Sequence, residues 1–276
     1  MAIIRYGTSG NPPNFFSSEY GKDAKNAIDW IHSIGLNAYE YCATHGANTK
    51  EEKAAYIGKR AKELDVKLSV HGAYYIVLTS EHKNVQENSV KEMIKTLKLA
   101  EMLGADKIVF HPGFNKSGDA VEKCIAGLKM VMGEYPSKVK MLPETTGKKC
   151  QLGSLEDVLT ICEETGCLPC IDFGHLHARE GGQLKSEDDI RNIIIKIEKR
   201  LGKKAIKYLH CHFYPIEFTS KGEKVHRAVT EPDYYPKFKH FAPIIKEFNM
   251  APTLISESKN SQDVGALEMK SIMENL

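Results

Sequence analysis

Lys107-Ile-Val-Phe-His-Pro-Gly113 is the stretch that decides the fold. Three apolar residues run into a histidine and then into Pro-Gly, so a short buried strand ends on a side chain able to bind a cation and the chain turns at once. On its N-terminal side, Ser89 to Leu103 carries apolar residues at helical spacing and stops at Gly104. On its C-terminal side, Ala120 to Met132 repeats that pattern before Gly133.

The same alternation extends in both directions. Strands are predicted at Ala2 to Gly7, Asn37 to Tyr41, Lys67 to His71, Lys107 to His111, Val139 to Glu144, Leu168 to Asp172, Ile206 to His210 and Thr253 to Glu257. Helices are predicted at Asn26 to Ser33, Glu51 to Leu64, Ser154 to Glu164, Ser186 to Leu201, Tyr235 to Phe248 and Val264 to Glu274, beside the two already named. Eight strand-helix units with apolar strands imply an α/β fold, a closed parallel (β/α)8 TIM barrel, formed as one domain over residues 1–276. An open doubly wound sheet predicts a glycine-rich phosphate turn after its first strand, and none is present. The longest stretch without periodicity runs from Cys211 to Pro236, directly after a ligand-bearing strand.

Composition narrows the function. With 38 basic and 36 acidic residues the formal charge is +2, which supplies no global attraction to polyanions. No apolar run reaches the roughly 20 residues that span a bilayer, and MAIIRYGTSG lacks a signal-peptide core, so no membrane partner and a cytoplasmic location are expected. Seven scattered cysteines are expected to be free thiols, with Cys162, Cys167 and Cys170 structural.

Candidate ligands gather where strands end: His71, His111, Glu144, Asp172, His175, His210, His226 and Glu257. In a barrel these ends converge on one face, and burying several carboxylates together is costly unless cations neutralise them. Glu144, Asp172, His210 and Glu257 suffice for one divalent ion; the four further histidines exceed one coordination shell and point to a multinuclear centre. His32, His82 and His240, on helices or their edges, are expected to be ordinary structural or surface residues, whereas His177 and His212 stand beside candidate ligands and are evenly balanced between support and structure.

The segments HGAYYI, FHPG, PETTG, IDFGH, LHCHF, GEKVHR and ISES resemble, in order and over nearly the whole chain, endonuclease IV, the AP endonuclease family 2 of the xylose isomerase-like TIM barrel superfamily; the chain reads as a divergent member. The resemblance implies hydrolysis of phosphodiester bonds in double-stranded DNA at abasic sites, by a monomer holding two or three zinc ions, with manganese or iron as substitutes. It implies that His71 and His111 hold the first ion and Glu144 bridges to a second held by Asp172, His210 and Glu257. His175 and His226 would hold a third, Glu144 and Glu257 would carry the catalysis, and Tyr74 would line the DNA pocket. Lys224 stands where the family has an aspartate two residues before its histidine, leaving Glu223 to replace it or the third site weak or absent. Lys224 and Arg227 are the candidate phosphate contacts. A single-metal sugar isomerase or epimerase is the alternative; it uses the quartet but gives His71, His111, His175 and His226 no shared role.

Overall fold

The computed structural model describes residues 3–116 and 118–276. The strands, in chain order, are β1 (Arg5–Ser9), β2 (Ala38–Cys42), β3 (Lys67–His71), β4 (Lys107–Phe110), β5 (Lys140–Pro143), β6 (Cys170–Asp172), β7 (His210–His212), β8 (Ile216–Thr219), β9 (Gly222–His226) and β10 (Thr253–Ser256). Among the described residues, eight of them form one parallel sheet in the order β5-β4-β3-β2-β1-β10-β7-β6. A parallel bridge between Glu144 and Cys170 brings β5 onto β6 and closes the ring as a TIM barrel. Strands β8 and β9 make a separate antiparallel hairpin.

Helices cover the outside, and their sequences explain where they begin and end. Glu187–Leu201 opens with a capping box between Ser186 and Asp189 and buries Ile190, Ile193, Ile194 and Ile197 on one face. Each such isoleucine stabilises the barrel by about 2 kcal/mol. Leu155–Thr165 has the equivalent box from Ser154 and Asp157, and Lys83–Leu103 stops at Gly104. All four residues of β10 and four of the five in β3 are buried, because each strand lies between the barrel interior and the helical layer.

The structure departs from the sequence-based expectation most in the second half of the chain. Residues expected to begin the seventh strand instead form a helical turn, Lys203–Lys207, which buries Ala205 and Ile206; the strand starts only at His210 and runs on to His212. The aperiodic Cys211 to Pro236 stretch contains the β8–β9 hairpin. The single helix expected over Tyr235 to Phe248 is a short 3-10 turn, Phe238–His240, followed by Ala242–Glu247, with Pro243 in its first turn. The first strand lies at Arg5–Ser9; Ala2, its expected first residue, and Ser117 lie outside the described residues. No helix among the described residues is long and apolar enough to cross a membrane.

Candidate metal centre

Strand direction places the C-terminal ends of the barrel strands on one face, and the acidic and imidazole side chains meet there. Glu144, just past β5, is fully buried at the middle. One carboxylate oxygen, Oε2, lies 3.2 Å from His71 Nε2 and 3.0 Å from His111 Nε2. The other, Oε1, lies 3.0 Å from His212 Nδ1 and 3.4 Å from His175 Nδ1. A single carboxylate thus faces two sets of ligand atoms with one oxygen each.

Three groups follow from this arrangement. The first is His71, His111 and Glu144, with the His71 and His111 rings edge-to-face at 5.5 Å. The second gathers around His212, whose Nδ1 also lies 3.6 Å from Asp172 Oδ2 and 3.6 Å from Glu257 Oε1. The third is His175, Glu223 and His226: Glu223 Oε2 lies 3.5 Å from His175 Nε2, and its Oε1 3.6 Å from His226 Nε2.

Local chain geometry explains the third group. Asp172 caps the short helix Phe173–Arg179 by accepting from the His175 backbone N–H at 2.7 Å, which swings His175 back over the centre. Tyr214 donates to the other Asp172 oxygen at 2.8 Å and stacks on His226 at 4.1 Å. In a regular strand, side chains three apart lie on opposite faces. The hairpin register instead pairs Glu217 with Val225 and Phe218 with Glu223, so Lys224 is the extra residue of a β-bulge and Glu223 comes onto the face of His226. The hairpin is fastened to the loop after β5 by Glu223 N–H donating to Gly147 O at 3.0 Å. At Gly222, φ is 97° and a Cβ would lie 2.2 Å from Gly147 O, so only glycine fits the turn.

Electrostatics fit the same picture. Among the described residues, every ion pair made by Glu40, Glu144, Asp172 and Glu257 is with a histidine. Burial works against a charged ring at His71, but the hydrogen bond and charge of Glu144 outweigh it and hold the group up at about 9. At His175 burial is likewise overcome, chiefly by Asp172, and the group stands at about 10. Glu144 is held well below the ordinary carboxylate range, its burial overcome by His111 and His212, whereas burial pushes Asp172 up. Burial is overcome at Glu223 too, by His226 and His175, which hold it down at about 2. Nitrogen and carboxylate donors converging on shared points, with only imidazoles to balance the acids, are a donor set suited to divalent zinc, manganese or iron.

Of the residues singled out from sequence, His71, His111, Glu144, Asp172, His175, His226 and Glu257 all reach this face. His210 does not join Glu144, Asp172 and Glu257; its Nε2 bonds Glu40 Oε2 at 2.9 Å and it sits one pleat deeper. Because β7 runs two residues further than expected, His212 takes that place. Tyr74 is exposed at the mouth, about equally far from the His71 and His111 rings at 6.0 and 6.1 Å. Lys224 and Arg227 both pair with Glu217, and Arg227 also covers the Tyr234 ring at 4.6 Å. Glu40 went unnoticed because it lies in the middle of β2 and not at a strand end; its position in AYEYC, flanked by aromatic residues of opposite pleat, was its only signal.

Comparison with known proteins agrees with the architecture. The chain is 32% identical over 276 residues to an uncharacterized protein of Methanocaldococcus jannaschii, MJ0133, covering 97% of this chain and 96% of that one. It is 25% identical over 228 residues to "Probable endonuclease 4" of Aquifex aeolicus, covering 75% and 80%. The crystal structure of endonuclease IV from Thermus thermophilus superimposes with a TM-score of 0.73 over 99% of this chain and 100% of that one; at 16% identity this likeness concerns the fold alone. The model of the xylose isomerase-like TIM barrel family matches residues 28–275, and the chain belongs to that family.

Proposed function

We propose that the chain is a metal-dependent phosphodiester hydrolase that cleaves double-stranded DNA at abasic sites, acting as a cytoplasmic monomer with two or three zinc ions, or manganese or iron in their place. The observation that carries this reading is Glu144, with one oxygen turned to each of two ligand sets and a third set alongside. A single-ion site needs no such bridging carboxylate. The likeness to an endonuclease 4 over three quarters of the chain supports the same class.

His71, His111 and Glu144 would hold the first ion, Glu144, Asp172, His212 and Glu257 the second, and His175, Glu223 and His226 the third. When bound, such cations acidify water and offset phosphate charge. Glu257 is less enclosed than Glu144 and Asp172, its side chain 16% exposed, and its two oxygens face His212 and His226. It is placed to take a proton from an attacking water, while Glu144 keeps the two ligand sets in register. Tyr74 stands at the mouth against the extruded abasic sugar. Lys224 and Arg227 meet the DNA backbone by exchanging Glu217 for phosphate.

The test combines metal counting with turnover. Purified protein loaded with zinc, manganese or cobalt should hold two to three ions per chain and nick an abasic duplex, and a chelator should abolish nicking. One ion per chain with turnover of a ketose would replace this reading with the sugar isomerase or epimerase; no nicking with any of the three metals would defeat it.

A further inference from the structure

Below the metal centre lies a second layer of polar side chains inside the barrel. Glu40 on β2, Ser69 on β3, and His210 and His212 on β7 are all buried to within 3% of full enclosure. Glu40 is their hub. Its Oε2 accepts from His210 Nε2 at 2.9 Å and from the Ser69 hydroxyl at 2.8 Å. Its Oε1 makes an ion-pair contact with His212 Nε2 at 2.9 Å, and neither atom has a hydrogen bond elsewhere among the described residues. Among the described residues, the ion pairs of Glu40 are with these two histidines.

The two nitrogens of His212 therefore face different surroundings. Nδ1 looks up at Glu144, Asp172 and Glu257; Nε2 lies 2.9 Å from Glu40, and the buried Cys170 thiol also packs close to the ring. A carboxylate behind an imidazole fixes which nitrogen keeps the proton and makes the opposite one a better donor. We infer that Glu40 is a positioning residue: it keeps the His212 proton on Nε2, presents the Nδ1 lone pair to the second metal position, and is itself braced by His210 and Ser69. This rests on the metal-binding part of the proposed function and not on the identity of the substrate.

The test reads binding and ring chemistry, not turnover. In the zinc-loaded protein, long-range ¹H–¹⁵N spectra should show His212 with its proton on Nε2 and the metal on Nδ1. Glu40→Gln, which keeps the shape, and Glu40→Ala should each weaken the second ion by about 10- to 100-fold in competition with a chromophoric chelator, the range expected when the group behind a metal-binding histidine is lost. Glu40→Asp should recover part of the affinity, and Ser69→Ala, which removes a hydrogen bond to Glu40 and not to the His212 ring, should change it only a few-fold. Metal on His212 Nε2 would make Glu40 a ligand and overturn the inference. So would a folded Glu40→Gln protein with wild-type affinity and an unchanged His212 spectrum. If the protein binds its ions as described yet fails to nick abasic DNA, the proposed substrate falls and the role of Glu40 stands.

Discussion

The β-bulge at Lys224 makes a quantitative demand on Glu223. That carboxylate is held down from an ordinary 4.5 to about 2, with His226 and His175 outweighing its burial. A shift of that size corresponds to about 3 kcal/mol of preference for the charged form. Part of the side chain is open to solvent, so about 2 kcal/mol is the more realistic interaction with the two rings. A divalent cation on those rings presents at least as much positive charge as their protons. Removing the carboxylate should therefore weaken the third ion by at least about 30-fold, at 1.4 kcal/mol per decade.

Glu223→Gln is the perturbation, with chelator competition and metal analysis after desalting as the assay. The variant should lose one ion per chain and keep the others, since Glu144, His71 and His111 do not touch Glu223. Two controls act on the neighbouring residue. Lys224→Ala should hold all its ions, because the lysine is largely exposed and, among the described residues, its ion pair is with Glu217. Deleting Lys224 should also preserve the third ion: without the bulge, Glu223 would stand two residues before the histidine, on the same face of a regular strand. An unchanged metal count in Glu223→Gln, or loss of the third ion in Lys224→Ala, would refute the assignment of the bulge.

Three further outcomes are expected. His71 at about 9 and His175 at about 10 are protonated at pH 7.5 in the metal-free protein, so loading should release about two protons or more, read as a buffer-dependent enthalpy in titration calorimetry; equal enthalpies in phosphate and Tris, once heats of dilution are removed, would contradict this. Because these folded-state values are raised, the stability they confer on the metal-free protein is complete below about pH 6.5 and is lost as pH rises through 9 to 10, which denaturant midpoints across that range should show. Burial, assisted by Lys185, pushes His177 down to about 4, and its Nδ1 accepts from Leu184 N–H at 3.1 Å; the unfolded chain then binds the proton more readily, so stability should fall by about 2–3 kcal/mol between pH 6.5 and 4, and His177→Phe should flatten that slope. Gly222→Ala should displace the hairpin and cost the third ion while leaving the barrel's circular dichroism unchanged, since the added carbon meets Gly147 O at 2.2 Å.

The chain's legibility varied with how directly local sequence fixes geometry. Strand β3 appears at Lys67–His71, as its alternation of turn, apolar run and histidine predicts, and β4 begins at Lys107. Capping boxes at Ser154 and Ser186 mark helix starts because their hydrogen bonds are local. The seventh strand was harder: in KKAIKYLHCHF the apolar residues fit a helical turn as well as a strand, and only packing against the barrel assigns Ala205 and Ile206 to the turn. That two-residue displacement puts His212 where the sequence points to His210, since both face inward and sequence alone does not say which is at the rim.

Glu40 and Glu223 expose a different limit. Nothing adjacent in sequence distinguishes Glu40 from a solvent-facing acid; its role depends on β2 lying two places from β10, across the interior from β7. Glu223 stands three residues before His226, and only the bulge at Lys224, which the aperiodic Cys211 to Pro236 stretch does not announce, brings the two onto one face. Both residues answer the same physical requirement. A cluster of buried imidazoles and acids is stabilised when carboxylates are set against its rings, and the chain places one carboxylate beneath His212 and another between His175 and His226. If that requirement governs the centre, a double substitution, Glu40→Gln with Glu223→Gln, should lower ion content by the sum of the separate effects, because no ion pair is shared by the two acids. A loss much larger than the sum would mean that the groups are coupled through Glu144, and the centre would have to be treated as one unit.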